Sequence, residues 1–349
     1  MSKLGVLEIF FGPAWKDEDR PGLAQFLGKY NFDFHVYAPK SDAALRKNWR
    51  EPWSVQYLER LRGLTALSHA QNVRFGVALS PFGLGDHVSA SDREILREKI
   101  RQLDALHMDI IAIFFDDMPV HDGLAQSQIQ ALEIVRGETK AQILFCPTFY
   151  SDDPILEKVF GAKPPGYIED LAQSLPPQIE IVWTGPKVIS NEIPADHLVR
   201  VRRELHRAPF ICDNYFANDG PKNCKFLKLR FPEGRSPAAF AQAGFWGLNP
   251  MNQIHLSQIV MLAFLKTARE GMPPEAALDR AFEEMCSPGV AKILREHRLL
   301  FLKDGLDQID EPAHRTLATQ LSAFDEPAAR EVRAWLDGQF IVGNECLTD

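Results

Sequence analysis

Cysteine is scarce in this chain and patternless: Cys146, Cys212, Cys224, Cys286 and Cys346 are five in number and contain no CxxC spacing. An odd count without such spacing argues against a disulfide framework, and reduced thiols are what a cytosolic compartment maintains. Long apolar runs are missing as well. None reaches the roughly 18 residues that a bilayer-spanning helix requires. The opening run Leu4-Gly5-Val6-Leu7-Glu8-Ile9-Phe10-Phe11 holds a glutamate and is followed by Gly12-Pro13, with no small-residue cleavage site. It predicts a first strand and not a signal peptide. Basic residues are outnumbered, 39 Lys and Arg against 47 Asp and Glu, for a net charge of −8. That balance excludes a general nucleic-acid binder, whose phosphate contacts need a basic surface. No GxGxxG follows the first strand and no phosphate-cradling loop occurs, so a dinucleotide site is not expected. His121 has no second His or Cys at ligand spacing and reads as a solvated side chain. The expectation is a cytoplasmic protein with no cofactor, no metal, no nucleic-acid partner and no membrane segment.

What remains is an ordinary globular composition, 45% hydrophobic and 25% charged over 349 residues, enough for one large domain or one large and one small. Short β-forming apolar runs recur at residues 6–11, 32–37, 73–79, 110–115, 142–146, 179–183, 210–212 and 240–246. Amphipathic stretches lie between them. Residues 55–70 and 91–106 are the clearest; Leu96, Ile100 and Leu103 keep helical spacing in the second, with Ser91 and Asp92 as expected N-caps. Strand and helix alternating through eight rounds predicts parallel βαβ units, and a closed (β/α)8 TIM barrel accommodates eight of them in about 250 residues. An open doubly wound sheet is the alternative. After Asn249 the pattern turns helical, divided at Pro273-Pro274, Ser287-Pro288-Gly289, Glu311-Pro312 and Glu326-Pro327. The expected division is a barrel over 1–252, then the last barrel helix and a helical C-terminal appendage over 253–349. That appendage would cover the barrel or form a homodimer.

In such a barrel the side chains at the carboxyl ends of the strands face one pocket. Those positions hold Gly12, Lys40, Ser80, Asp116-Asp117, Thr148, Tyr150, Thr184, Asp213, Asn214, Asp219 and Asn249, a polar set on apolar strands. The sharpest is Ile110-Ile111-Ala112-Ile113-Phe114-Phe115-Asp116-Asp117. Adjacent carboxylates ending an apolar strand are costly, because each disfavours ionisation of the other. A helix N-cap beside a solvated neighbour would account for many such pairs. Here the following Met118-Pro119-Val120-His121 is a poor helix start, which favours a site.

The segments Glu8-Ile9-Phe10-Phe11-Gly12-Pro13-Ala14-Trp15, Tyr37-Ala38-Pro39-Lys40, Trp49-Arg50-Glu51-Pro52, Phe115-Asp116-Asp117 and Cys146-Pro147-Thr148-Phe149-Tyr150 resemble glycoside hydrolase family 84. So do Trp183-Thr184-Gly185-Pro186-Lys187, Asp213-Asn214-Tyr215-Phe216-Ala217-Asn218-Asp219 and Asn249-Pro250. The motifs keep the family's order across the whole expected barrel. The resemblance implies a (β/α)8 fold and retaining hydrolysis of β-linked N-acetylglucosaminides by substrate assistance, one of the exceptions to the usual two-carboxylate scheme. It implies that Asp116 orients the 2-acetamido group and that Asp117 is the general acid/base. It further implies that Gly12 lets the backbone approach the sugar and that Lys40 donates to its hydroxyls. Tyr150 would bond near the acetamide, Asp219 would accept from the far hydroxyls, and Asn214 and Asn249 would add amide contacts. The implied partner is an N-acetylglucosamine-containing glycoconjugate.

Three departures from the family pattern bear on the substrate. Cys212 stands where the family usually has tryptophan, Phe149 where a charged residue is frequent, and Phe11 where tyrosine is common. The aromatic wall lost at Cys212 leaves open that the same barrel acts on a different N-acetyl-hexosamine conjugate; a sugar-binding module that has lost catalysis is a separate alternative, against which the intact Asp116-Asp117 pair argues.

Overall fold

The computed structural model of the chain describes every residue except 1, 86, 87, 344, 347 and 349. Among the described residues the strands β1 (Lys3–Glu8), β2 (Phe34–Tyr37), β3 (Arg74–Leu79), β4 (Ile110–Phe114), β5 (Gln142–Cys146), β6 (Glu180–Trp183), β7 (Phe210–Asp213) and β8 (Phe245–Leu248) pair in sequence order. All pairs are parallel, and β8 returns to β1 with Lys3 opposite Phe245. The sheet is therefore a closed barrel, which decides against the open alternative. Parallel strands sheathed by helices are buried on both faces, and β4, Ile-Ile-Ala-Ile-Phe, is buried at all its positions.

The helices of the barrel are α1 (Arg20–Lys29), α2 (Val55–His69), α3 (Ala90–Asp104), α4 (Leu124–Glu138), α5 (Pro154–Phe160), α6 (Tyr167–Ser174), α7 (Ala195–Glu204), the single turn α8 (Pro237–Phe240) and α9 (Ile254–Glu270). Beyond them come α10 (Pro274–Met285), α11 (Pro288–Glu296), α12 (Gly305–Gln308), α13 (Glu311–Ser322) and α14 (Pro327–Leu336). The prolines that divide the C-terminal stretch stand at the first turns of α10, α11, α13 and α14, where their missing N–H costs nothing. Most of α9 is buried around its whole circumference, because α10 and α14 pack against it from outside the barrel.

Three details differ from expectation. The first strand ends at Glu8, so Phe10 and Phe11 lie in the following loop and not in the sheet. Residues 240–246 are not one strand: Ser236 accepts a hydrogen bond from the Ala239 N–H, Pro237 opens a helical turn, and the strand begins only at Phe245. The Ser-Pro helix signal outweighs the apolar run that follows it. Finally, Ser89 caps α3 by accepting from the Asp92 N–H, in place of Ser91 or Asp92 itself. Asp92 is free to bind Arg50, at 2.6 Å.

A buried ionic cluster braces the first strand end. Glu8, fully buried, takes two hydrogen bonds from the Arg20 guanidinium, each 2.8 Å, and lies 3.1 Å from His35 Nε2. Arg20 holds the Glu8 carboxyl below its ordinary range against the opposing effect of burial, which is the largest influence on it.

Candidate active site

Successive residues of a strand face opposite sides, so positions two apart share a column. Phe114, Val182 and Cys212 point into the barrel near its carboxyl end, and Asp116, Thr184 and Asn214 follow two residues later, lining the same cleft. Asp117 would face away if the strand continued. The chain instead leaves extended geometry, Asp117 adopting a left-handed backbone with φ +58°, and its carboxylate joins that of Asp116 in the cleft. A non-glycine residue in this region costs on the order of 1 kcal/mol, and aspartate is among the residues that tolerate it.

The cleft encloses about 610 Å³ of empty space, open solvent at its mouth included. Lys40, Asp116, Asp117, Tyr150, Thr184, Asn214, Asp219 and Asn249 line it, with Leu7, Ile9, Phe11, Val182 and Cys212 among the apolar walls. Seven of the eight residues singled out from the sequence as catalytic or sugar-binding are thus brought together. The eighth, Gly12, is not among the lining residues. Its φ is +85°, and a Cβ there would lie 2.8 Å from Val342 and 3.2 Å from Asn252, so turn geometry and close packing account for the glycine. Other strand-end groups also turn elsewhere. The Ser80 N–H bonds the Leu45 carbonyl, and Asp213 is paired with Arg235 in a buried ion pair at 2.8 Å. Thr148 bonds the Phe115 carbonyl at 3.0 Å.

Asp116 and Asp117 are 8% and 9% exposed. Between them sits the Lys40 ammonium, ion-paired to Asp116 and 3.8 Å from Asp117 Oδ2. Lys40 was expected to donate to sugar hydroxyls; its bond in this structure goes to Asp116. Burial and the neighbouring Asp116 charge push the Asp117 carboxyl up to about 6, with Lys40 and Arg46 opposing. A carboxyl so placed exchanges its proton near neutral pH, the requirement for a group that must both give and take one. Asp116 Oδ1 is buried and accepts no hydrogen bond from the described residues, and the same is true of Asn249 Oδ1. Both are acceptors facing a cleft, suited to N–H or O–H donors of a ligand. The Asn249 amide donates to Asn214 Oδ1 at 2.9 Å, and Asn214 Nδ2 donates to the Val188 carbonyl at 3.0 Å. Asp219 Oδ2 accepts from the Phe11 N–H at 2.9 Å. Tyr150, buried beside the two carboxylates, has its phenol pushed well up and stays a neutral donor.

Residues 4–298 match the family of beta-N-acetylglucosaminidases. The chain belongs to the beta-N-acetylglucosaminidase family. It is 35% identical over 237 residues to the protein O-GlcNAcases of Rattus norvegicus and Mus musculus, a match covering 64% of this chain and 25% of theirs. The chain therefore spans about a quarter of the length of those curated relatives. Among solved structures it resembles a mutant of the O-GlcNAc hydrolase of Thermobaculum terrenum, with a TM-score of 0.79 and 26% identity over 97% of this chain and 81% of that one.

Two parts of this cleft were not visible in the sequence. Cys346 and Thr348, near the C-terminus, line the cleft, while Val342 packs on Phe11. Nothing in the local sequence there signals a return to the barrel mouth. The second is Arg46, whose guanidinium lies over the rings of Phe11 and Phe82, 5.8 and 5.1 Å from their centroids. The nearby Trp49-Arg50-Glu51-Pro52 motif marked the segment but not that residue.

Proposed function

We propose that the protein is a retaining beta-N-acetylglucosaminidase acting by substrate assistance on an N-acetylglucosamine-containing glycoconjugate in the cytoplasm. The observation that carries this is the pairing of two unequal acids in one buried-walled cleft at the carboxyl ends of the strands. Asp116 has a buried oxygen free to accept, and Asp117, raised to about 6, can give and take a proton close to neutral pH.

In this reading Asp116 Oδ1 accepts the N–H of the 2-acetamido group, which turns the acetamide carbonyl oxygen towards the anomeric carbon. The Lys40 ammonium fixes the other oxygen of Asp116. As the carbonyl oxygen attacks, the bond to the leaving oxygen breaks and Asp117 gives that oxygen its proton. An oxazoline forms from the substrate's own atoms. Asp117, now a carboxylate, takes a proton from water as it opens the oxazoline, and the two displacements together retain the β configuration. Charge developing on the acetamide N–H is met by Asp116 in a buried, water-poor site, where such stabilisation is strong. Tyr150, Asn214, Asn249 and Asp219 bind the acetamide and the hydroxyls around it. The walls formed by Ile9, Val182 and Cys212 favour, as a second reading of the substrate alone, a hexosamine whose acyl group or aglycone differs from the family's usual one. The appendage α10–α14 is read as a cover for α9 or a homodimer contact, which sedimentation of the purified protein would distinguish.

Asp117→Ala tests the assignment. Turnover of an aryl N-acetylglucosaminide with a poor leaving group should nearly vanish, while an activated aryl leaving group, needing no proton, should restore the first step. Equal losses on both substrates would refute the acid/base role. Binding of an oxazoline mimic by the wild-type protein without any turnover would favour a non-catalytic sugar-binding module.

A further inference from the structure

Three polar side chains are buried behind the catalytic strand end without touching the cleft. Thr148, Gln128 and Tyr167 are 0%, 1% and 1% exposed, and they come from the loop after β5, from α4 and from α6. Their hydrogen bonds close a ring. The Thr148 N–H donates to the Tyr167 hydroxyl at 3.0 Å, and that hydroxyl donates to Gln128 Oε1 at 2.6 Å. Gln128 Nε2 donates to Thr148 Oγ1 at 2.8 Å. The Thr148 hydroxyl proton goes to the Phe115 carbonyl at 3.0 Å. On the other side of the same residue, the Phe115 N–H donates to the Cys146 carbonyl at 2.9 Å. Phe115 is thus held by both its backbone groups immediately before Asp116, and two residues before the left-handed turn at Asp117.

We infer that the Thr148–Gln128–Tyr167 ring is a positioning device for the Asp116–Asp117 pair, fixing the backbone from which both carboxylates enter the cleft. It rests on the reading of those two residues as the working acids. The Phe115 carbonyl can only accept, so the Thr148 hydroxyl must donate to it and accept from Gln128 Nε2, which in turn presents Oε1 to the Tyr167 hydroxyl. The Thr148 hydroxyl is consequently committed to the Phe115 carbonyl. An apolar trio of the same shape could fill this space at similar stability, because paired buried polar groups contribute little net. What it could not do is hold a carbonyl in one place. Tyr150, a second cleft residue, lies two positions beyond Thr148 on the same loop. Displacements near 1 Å at remote supports cost on the order of a hundredfold in rate.

The experiment compares Thr148→Val, Thr148→Ser and Tyr167→Phe on an aryl N-acetylglucosaminide, with thermal unfolding of each variant and Asp117→Ala alongside. Thr148→Val should lower kcat by roughly ten- to a hundredfold. KM should change little, and the alkaline limb of the pH–rate profile should move. Thr148→Ser, which keeps the hydroxyl, should recover most of kcat, and Tyr167→Phe should show the same pattern more weakly. The inference is overturned if folded Thr148→Val turns over like wild type, if the loss falls wholly in KM, or if serine fails to rescue. Should valine prevent folding, the serine and Tyr167→Phe proteins carry the same comparison, and an unaltered kcat and pH profile in Tyr167→Phe overturns it. Leaving-group selectivity of Asp117→Ala separates the two levels. If it is present while the ring variants behave as wild type, only the positioning role fails; if it is absent, the acid/base reading itself fails.

Discussion

Replacing Asp117 by asparagine should leave the protein nearly inactive and, at neutral pH, more stable. The folded protein raises this carboxyl from the ordinary 3.8 to about 6, burial contributing most and the Asp116 charge adding to it. A raised carboxyl pKa means that the native state binds the proton more tightly than the unfolded chain. Stability is therefore full below about pH 4, declines as pH rises through the window between the two values, and stays reduced above about 6. The rise of about two pH units, at about 1.4 kcal/mol each, amounts to about 3 kcal/mol at pH 7.5. Asparagine stays neutral throughout, keeps the side-chain shape and tolerates the φ of +58° that the position demands. Urea unfolding of both proteins at pH 7.5 and pH 4.5 provides the check. The variant should be the more stable by up to about 3 kcal/mol at the higher pH, and the advantage should shrink markedly at the lower one. A variant less stable at pH 7.5, or a difference that does not change with pH, would refute the account of a carboxylate held at a cost for its chemistry.

Other perturbations test neighbouring parts of the account. Because Asp117 must carry its proton in the first step, kcat/KM should fall as pH rises through about 6, a limb that Asp117→Asn abolishes. Glu8→Ala should destabilise the fold by about 3–5 kcal/mol in urea titration, since it leaves the buried Arg20 guanidinium unpaired. Ending the chain after Ile341 removes Cys346 and Thr348 from the cleft and Val342 from its packing on Phe11. KM for substrates with bulky aglycones should then fall, while small aryl substrates change less; steady-state kinetics on both would show it.

The barrel was legible because parallel strands buried on both faces are written as unbroken apolar runs, as in Ile110-Ile111-Ala112-Ile113-Phe114. The acids were legible for the same reason: two charges closing such a run have no cheap structural explanation. Strand limits were less so, since the apolar run around Phe10 and Phe11 continues past the last paired residue, Glu8. What could not be read are partnerships between distant residues. Glu8 with Arg20 and His35, Asp213 with Arg235, and Thr148 with Gln128 and Tyr167 each join elements that no local pattern links. The backbone turn that brings Asp117 beside Asp116 belongs to the same class. Sequence marked both residues but not the geometry that lets neighbours share a cleft. Gly12 is a further case. Its left-handed φ and the closeness of Val342 and Asn252 demand a glycine there, whatever it offers to a sugar, and no local pattern announces either neighbour.

The most direct test of the central claim is the rate of hydrolysis along a series of aryl glucosaminides whose N-acetyl group carries zero, one, two or three fluorine atoms. If the acetamide oxygen, gripped through Asp116, is the nucleophile, each fluorine weakens it and kcat/KM should fall steeply across the series. Rates that stay level would mean that the substrate's own amide takes no part, and the proposed roles of Asp116 and Asp117 would not stand.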